Sequence, residues 1–154
     1  MSSTITRIFA VFAPLALVAV AGCQGTVALI PNNDPELRSP PSSFAADAAK
    51  RHYEADAQRV PDSQFRAQYA LIMKEIDLAN ISNLDWVNVE VWINEKYVVY
   101  CRTFDAKSSK SLKFTMFYDH DGHPFDTQGG TNPIEKVEVF RGGTMYAVVA
   151  HVAD

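Results

Sequence analysis

Trp86-Val87-Asn88-Val89-Glu90-Val91-Trp92-Ile93-Asn94-Glu95-Lys96-Tyr97-Val98-Val99-Tyr100 is the stretch that decides the fold. Val87, Val89, Val91 and Ile93 alternate with Trp86, Asn88, Glu90 and Trp92, and a period of two sends alternate side chains to opposite faces of a strand. The aliphatic set contains no polar residue, so it is expected to face the core. The other set mixes an amide and a carboxylate with two indoles. It is expected to be partly covered or open to a partner, with Glu90 at the surface and Trp86 and Trp92 as candidate binding residues. Asn94-Glu95-Lys96 then turns the chain into a second apolar run. A glutamate enters positive φ at greater cost than glycine, so a three-residue loop is expected here in place of a tight Asn-Gly type of turn.

The same period extends in both directions. Ile72, Lys74, Ile76 and Leu78 alternate with Met73, Glu75 and Asp77, and Leu112, Phe114, Met116 and Tyr118 alternate with Lys113, Thr115 and Phe117. Residues 134–140 and 144–152 flank Gly142-Gly143, two residues able to take positive φ and therefore a two-residue hairpin turn. Six short strands in about 85 residues, without intervening helices, predict a mainly β fold: a small antiparallel β-sandwich, immunoglobulin-like or similar. Val89-Glu90-Val91-Trp92 has an echo in Val137-Glu138-Val139-Phe140, either two similar hairpins facing each other across the sandwich or convergent hairpin chemistry.

Upstream of the strands the composition changes twice. Residues 44–59 are rich in alanine, with Ser43 as a possible N-cap and Pro61 beyond the end, and predict a short helix. Residues 23–43 carry Pro31, Pro35, Pro40 and Pro41 among asparagines and serines, a composition that buries no core and predicts a tether. At the start, Arg7 precedes an apolar run from Ile8 to Ala21 that Pro14 interrupts. The order is that of a cleavable export signal, and the run is short of the roughly 20 residues of a membrane span. The expected organisation is signal peptide 1–22, tether 23–43, helical segment 44–68 and β-sandwich 69–154.

Val20-Ala21-Gly22-Cys23 resembles the lipobox of bacterial lipoproteins. The resemblance implies that Cys23 becomes the mature N-terminus and carries acyl chains. The membrane would then be a partner through that anchor, and an envelope protein a possible second partner. Gln24, where an aspartate often favours the inner membrane, mildly favours the outer membrane facing the periplasm. Residues 86–100, with Met145-Tyr146 and the terminal Val152-Ala153-Asp154, resemble a group of small uncharacterised bacterial exported proteins. That second resemblance implies domain limits near 45–154 and no activity.

Charge and chemistry narrow the function further. The chain has 14 basic and 18 acidic residues; losing Arg7 with the signal leaves a mildly acidic protein with no basic stripe for phosphates, which argues against nucleic acid. With Cys23 committed to lipid, Cys101 in its apolar run is expected to be a buried hydrophobe. The densest polar cluster is Asp119-His120-Asp121-Gly122-His123-Pro124-Phe125-Asp126. Asp119, His120, Asp121 and His123 are candidate metal ligands there, set against a solvated Asp-Gly turn. The sequence carries no serine elbow, phosphate loop or His-Glu-x-x-His helix, and it implies no cofactor. It is expected to be a non-catalytic binding or structural module of the cell envelope, the alternative being a metal-binding protein or metal-dependent hydrolase using residues 119–126.

Overall fold

The computed structural model describes residues 34–61, 64–70, 74–126 and 133–152; the expected signal peptide, Cys23 and the first part of the expected tether lie outside the described residues. Nine strands are found among the described residues: β1 (Gln58–Val60), β2 (Phe65–Ala70), β3 (Glu75–Asn80), β4 (Trp86–Ile93), β5 (Tyr97–Phe104), β6 (Ser109–Lys113), β7 (Val137–Arg141), β8 (Thr144–Ala147) and β9 (Val149–Val152). They form a five-stranded sheet in the order β1-β8-β7-β4-β5 and a four-stranded sheet in the order β6-β3-β2-β9. The mainly β, sandwich-like architecture after one short helix is the one the alternation predicts. Pairing is mostly antiparallel, but β1 lies parallel to β8 and β2 parallel to β9. Only Val148 separates β8 from β9, so one continuous stretch passes from the first sheet into the second.

The main core is shared by the two sheets: Phe65, Ile76 and Leu78 from the smaller sheet belong to one buried cluster with Val89, Val91 and Ile93 of β4. Those three aliphatics face inward as the alternation requires. At Asn88 the alternation slips. Asn88 takes φ 55°, a left-handed conformation that asparagine tolerates better than most residues, and its Oδ1 accepts the Tyr100 hydroxyl at 2.6 Å. Trp86 and Val89 therefore share the core side, while Val87 is half exposed. On β5, Phe104 and Cys101 are both buried with exposed Arg102 and Thr103 between them, so the register survives as Trp86↔Phe104 and Val89↔Cys101. Placing Val87 in the core and Trp86 on the opposite face is thus corrected by one left-handed residue. Trp86 packs edge-on against Phe65 and Tyr146, with ring centroids 4.8 and 4.7 Å away.

The β4–β5 connection leaves three residues, 94–96, between Ile93 and Tyr97, as expected, although both Asn94 and Glu95 take positive φ. Asn94 fixes this turn by accepting the backbone N–H groups of Glu135 and Lys136 and donating to the Pro133 carbonyl. Gly142 and Gly143 form the expected two-residue hairpin turn, at φ 57° and 82°. The echo motifs do not face each other across the sandwich. They lie side by side as antiparallel neighbours, with Val91 opposite Val139 and Trp92 opposite Glu138.

The N-terminal part differs most from expectation. Helix α1 (Pro41–Ala48) starts earlier and stops earlier than 44–59. Pro41 occupies the first turn, where its missing N–H costs nothing, and Ser43 is inside the helix with no side-chain cap at its start. Residues 51–60 leave the helix for tertiary contacts, since Tyr53 packs edge-on against Trp92 at 5.5 Å and Gln58–Val60 pairs with β8. The rest of the expected helical segment, residues 65–68, belongs to β2. The expected strand through residue 118 ends at Lys113, and Phe114–Met116 form a 3-10 turn. The tether, too, is partly docked. Pro35–Arg38 form a 3-10 turn capped by the Asp34 carboxylate, Leu37 is buried in the main core, and Asp34 and Glu36 pair with Lys110 and Arg102.

Candidate functional site

Residues 41–57 cover the outer face of the larger sheet, where Ala48, Trp92, Val98, Tyr118 and Met145 form a second core. Two carboxylates rise from this face, one from each echo motif, and each meets an arginine, Arg51 of the covering segment or Arg59 of β1. Glu90 accepts Arg51 Nη1 at 2.7 Å and Trp92 Nε1 at 3.1 Å. Glu138, buried, pairs with Arg59, accepts the Tyr53 hydroxyl at 2.6 Å and lies 3.1 Å from Lys136 Nζ. Burial and the Glu138 carboxylate push the Tyr53 phenol above its ordinary value, so it serves as a donor. Trp92 lies between the sheet and the covering segment, held by its hydrogen bond to Glu90, and Trp86 is in the main core. Both indoles are buried, at 3% and 2% exposure, so neither presents the open aromatic face expected of a binding strand.

The covering segment, the β4–β5 turn and the loop after Tyr118 border an open pocket of about 200 Å³, which His52, Lys96, Asp119, His120 and Asp121 help to line. Asp119 organises the loop. Its Oδ1 accepts the backbone N–H groups of Asp121 and His123 at 3.1 and 2.8 Å, and its Oδ2 lies 3.3 Å from both Lys96 Nζ and His123 Nδ1. Gly122, at φ 83°, closes the turn. Burial alone would raise the Asp119 pKa; the His123 backbone N–H, Lys96 and the His123 ring outweigh it and hold the carboxyl below its ordinary value.

The four ligand candidates from the sequence are thus split. Asp119, Asp121 and His123 bring ligand atoms within 4.8 Å of one another, but His120 turns away to meet His52, with ring centroids 4.7 Å apart. Both oxygens of Asp119 are already engaged, and the Lys96 ammonium beside them repels a cation. Asp119 thus fits a self-capped turn better than a metal ligand. Cys101 is buried, and burial pushes its thiol up to about 12, which suits a hydrophobe and not a nucleophile. His52, Tyr53 and Arg51 reach the pocket because β1 pairs with β8, a long-range contact with no signature in residue spacing.

No protein-family model, curated protein or solved structure matches this chain.

Proposed function

We propose that this is an exported lipoprotein of the cell envelope, anchored through Cys23, that acts as a non-catalytic binding or structural module. The observation that carries the reading is the order Arg7, apolar run, Val20-Ala21-Gly22-Cys23. Two acyl chains, at about 0.8 kcal/mol per buried methylene, anchor such a domain without further protein contact. The docked 3-10 turn supports a short leash: Pro35–Arg38 pack on the domain, and the chain from Cys23 to Asp34 can span at most about 40 Å. The domain would therefore work close to its membrane, the outer membrane being favoured by Gln24, with an envelope protein as its partner. The test is labelling with a palmitate analogue. The parent is expected to incorporate label and fractionate with membranes, whereas Cys23→Ala is expected to stay unlabelled and unprocessed; equal labelling and maturation of the two removes the lipoprotein reading.

A further inference from the structure

One end of the sandwich gathers the apolar side chains that the fold leaves outside. Among the described residues the exposed large hydrophobics are Ile81, Leu84, Val87 and Val149, with Leu84 the most open at 62%. Ile81 and Leu84 lie on the loop between β3 and β4, and Val87 follows at the start of β4. Val149 opens β9, and its partner Arg66 also pairs with Ala79, the neighbour of Asn80 at the end of β3. Single apolar residues scattered over a surface need no explanation, whereas four collected at one end mark a place of contact. The loop that carries two of them is pinned from below by Asn80, which is buried. Its Nδ2 faces the carbonyls of Leu84, Phe104 and Asp105 at 2.9, 3.1 and 3.1 Å, and its Oδ1 accepts the N–H and hydroxyl of Ser82. The neighbouring loop, 105–108, is tied to it, since Asp85 accepts the Ala106 N–H and the Lys107 ammonium donates to the Ile81 carbonyl.

The leash arrives at the same end. Asp34 pairs with Lys110 of β6, two residues along from Ser108, whose carbonyl accepts the Asn80 N–H. The chain from Cys23 to that point spans at most about 40 Å. We propose that this end of the domain, with Ile81 and Leu84 at its tip, rests in the headgroup and upper acyl region of the bilayer that holds the Cys23 anchor. This contact rests on the lipoprotein reading and fixes which face of the domain the membrane meets. A few aliphatic side chains bind a bilayer weakly by themselves, but a tethered domain meets the surface at high effective concentration, so weak contact suffices. Charge does not drive it. Asp85 and Asp105 outnumber Lys107 on the two loops, so anionic lipid is not required and added salt leaves the contact in place.

The experiment uses the full acylated chain reconstituted into phosphatidylcholine vesicles that contain a doxyl-labelled lipid as quencher. An environment-sensitive fluorophore is attached at Asn83→Cys, on the apolar loop, or at Glu95→Cys, in the β4–β5 turn at the opposite end; Cys101 is buried and does not compete. Lipid quenching is expected to be at least about threefold stronger at residue 83 than at residue 95. Ile81→Asp with Leu84→Asp is expected to bring the signal at 83 down to that at 95, with Leu84→Ser alone used if thermal melts of the double variant fall below the parent. Equal quenching at 83 and 95 in an acylated, vesicle-bound chain overturns the contact and leaves the lipoprotein reading standing. Protection of residue 83 from aqueous iodide without lipid quenching also overturns it, since a protein or a second copy would then cover the patch. A chain that takes no acyl label removes the lipoprotein reading and this contact with it.

Discussion

Glu90 shows how one residue changes meaning once its neighbours are known. As an alternating polar position it promises a surface where substitution is nearly neutral, whereas its carboxylate in fact holds Arg51 and the Trp92 indole together. Glu90→Lys removes both acceptor contacts and adds a cation beside Arg51. It is expected to cost about 1–3 kcal/mol, since hydrogen bonds to charged groups are worth about that much. Glu95→Lys gives up only the exposed pair with Lys136 and is expected to cost no more than about 1 kcal/mol. Val89→Asp puts an unpaired charge into the main core, several kcal/mol against a total of about 5 to 15, and is expected to unfold the domain. Urea midpoints of the three variants rank these effects; a Glu90→Lys midpoint equal to that of Glu95→Lys would remove the structural role given to the Glu90 bridge.

Among the elements, the loop after Tyr118 stores the clearest pH dependence. The Asp119 carboxyl, and that of Asp34 at the docked start of the chain, are both held below their ordinary values in the fold. A folded pKa below the unfolded one means that the unfolded chain binds the proton more tightly. The stability these two groups confer is therefore present above the unfolded value of about 3.9 and is lost as pH falls through the folded value. Urea midpoints are expected to fall between about pH 5 and pH 2.5, and to fall less in Asp119→Asn; an identical fall would show that the loop carries none of it. The elements differ in how legible they are from sequence. Alternation exposes β4, β5 and the Gly142-Gly143 hairpin because each buries one face, as period two requires. It hides the slip at Asn88, because a left-handed residue shifts the phase without changing composition. It also hides β1 and β2, where Arg59, Arg66 and Gln68 dilute the apolar signal and the partners lie at the far end of the chain. For the candidate site, the 119–123 cluster is visible in sequence, whereas His52 is not, since only the docking of the covering segment brings it there.

At the scale of the molecule, the folded body begins earlier than the composition suggests. A fragment starting at residue 44 loses Leu37 from the core and leaves Lys110 without Asp34. Burying one leucine is worth about 1.5–3 kcal/mol and an unpaired buried cation costs more. The fragment 34–154 is therefore expected to melt cooperatively and well above 44–154; coincident melting curves would make the docked turn energetically idle. The arrangement of the chain ends has a mechanical consequence. The first two strands, β1 and β2, lie parallel to the last two, β8 and β9, each pair bridging the beginning and the end of the chain. If the chain is pulled apart by its two ends, paired parallel strands slide along each other, so their ladder bonds share the load and must fail together. An antiparallel hairpin pulled at its open end gives way one rung at a time. This small domain is accordingly built to resist stretching between its termini far better than its size alone would suggest.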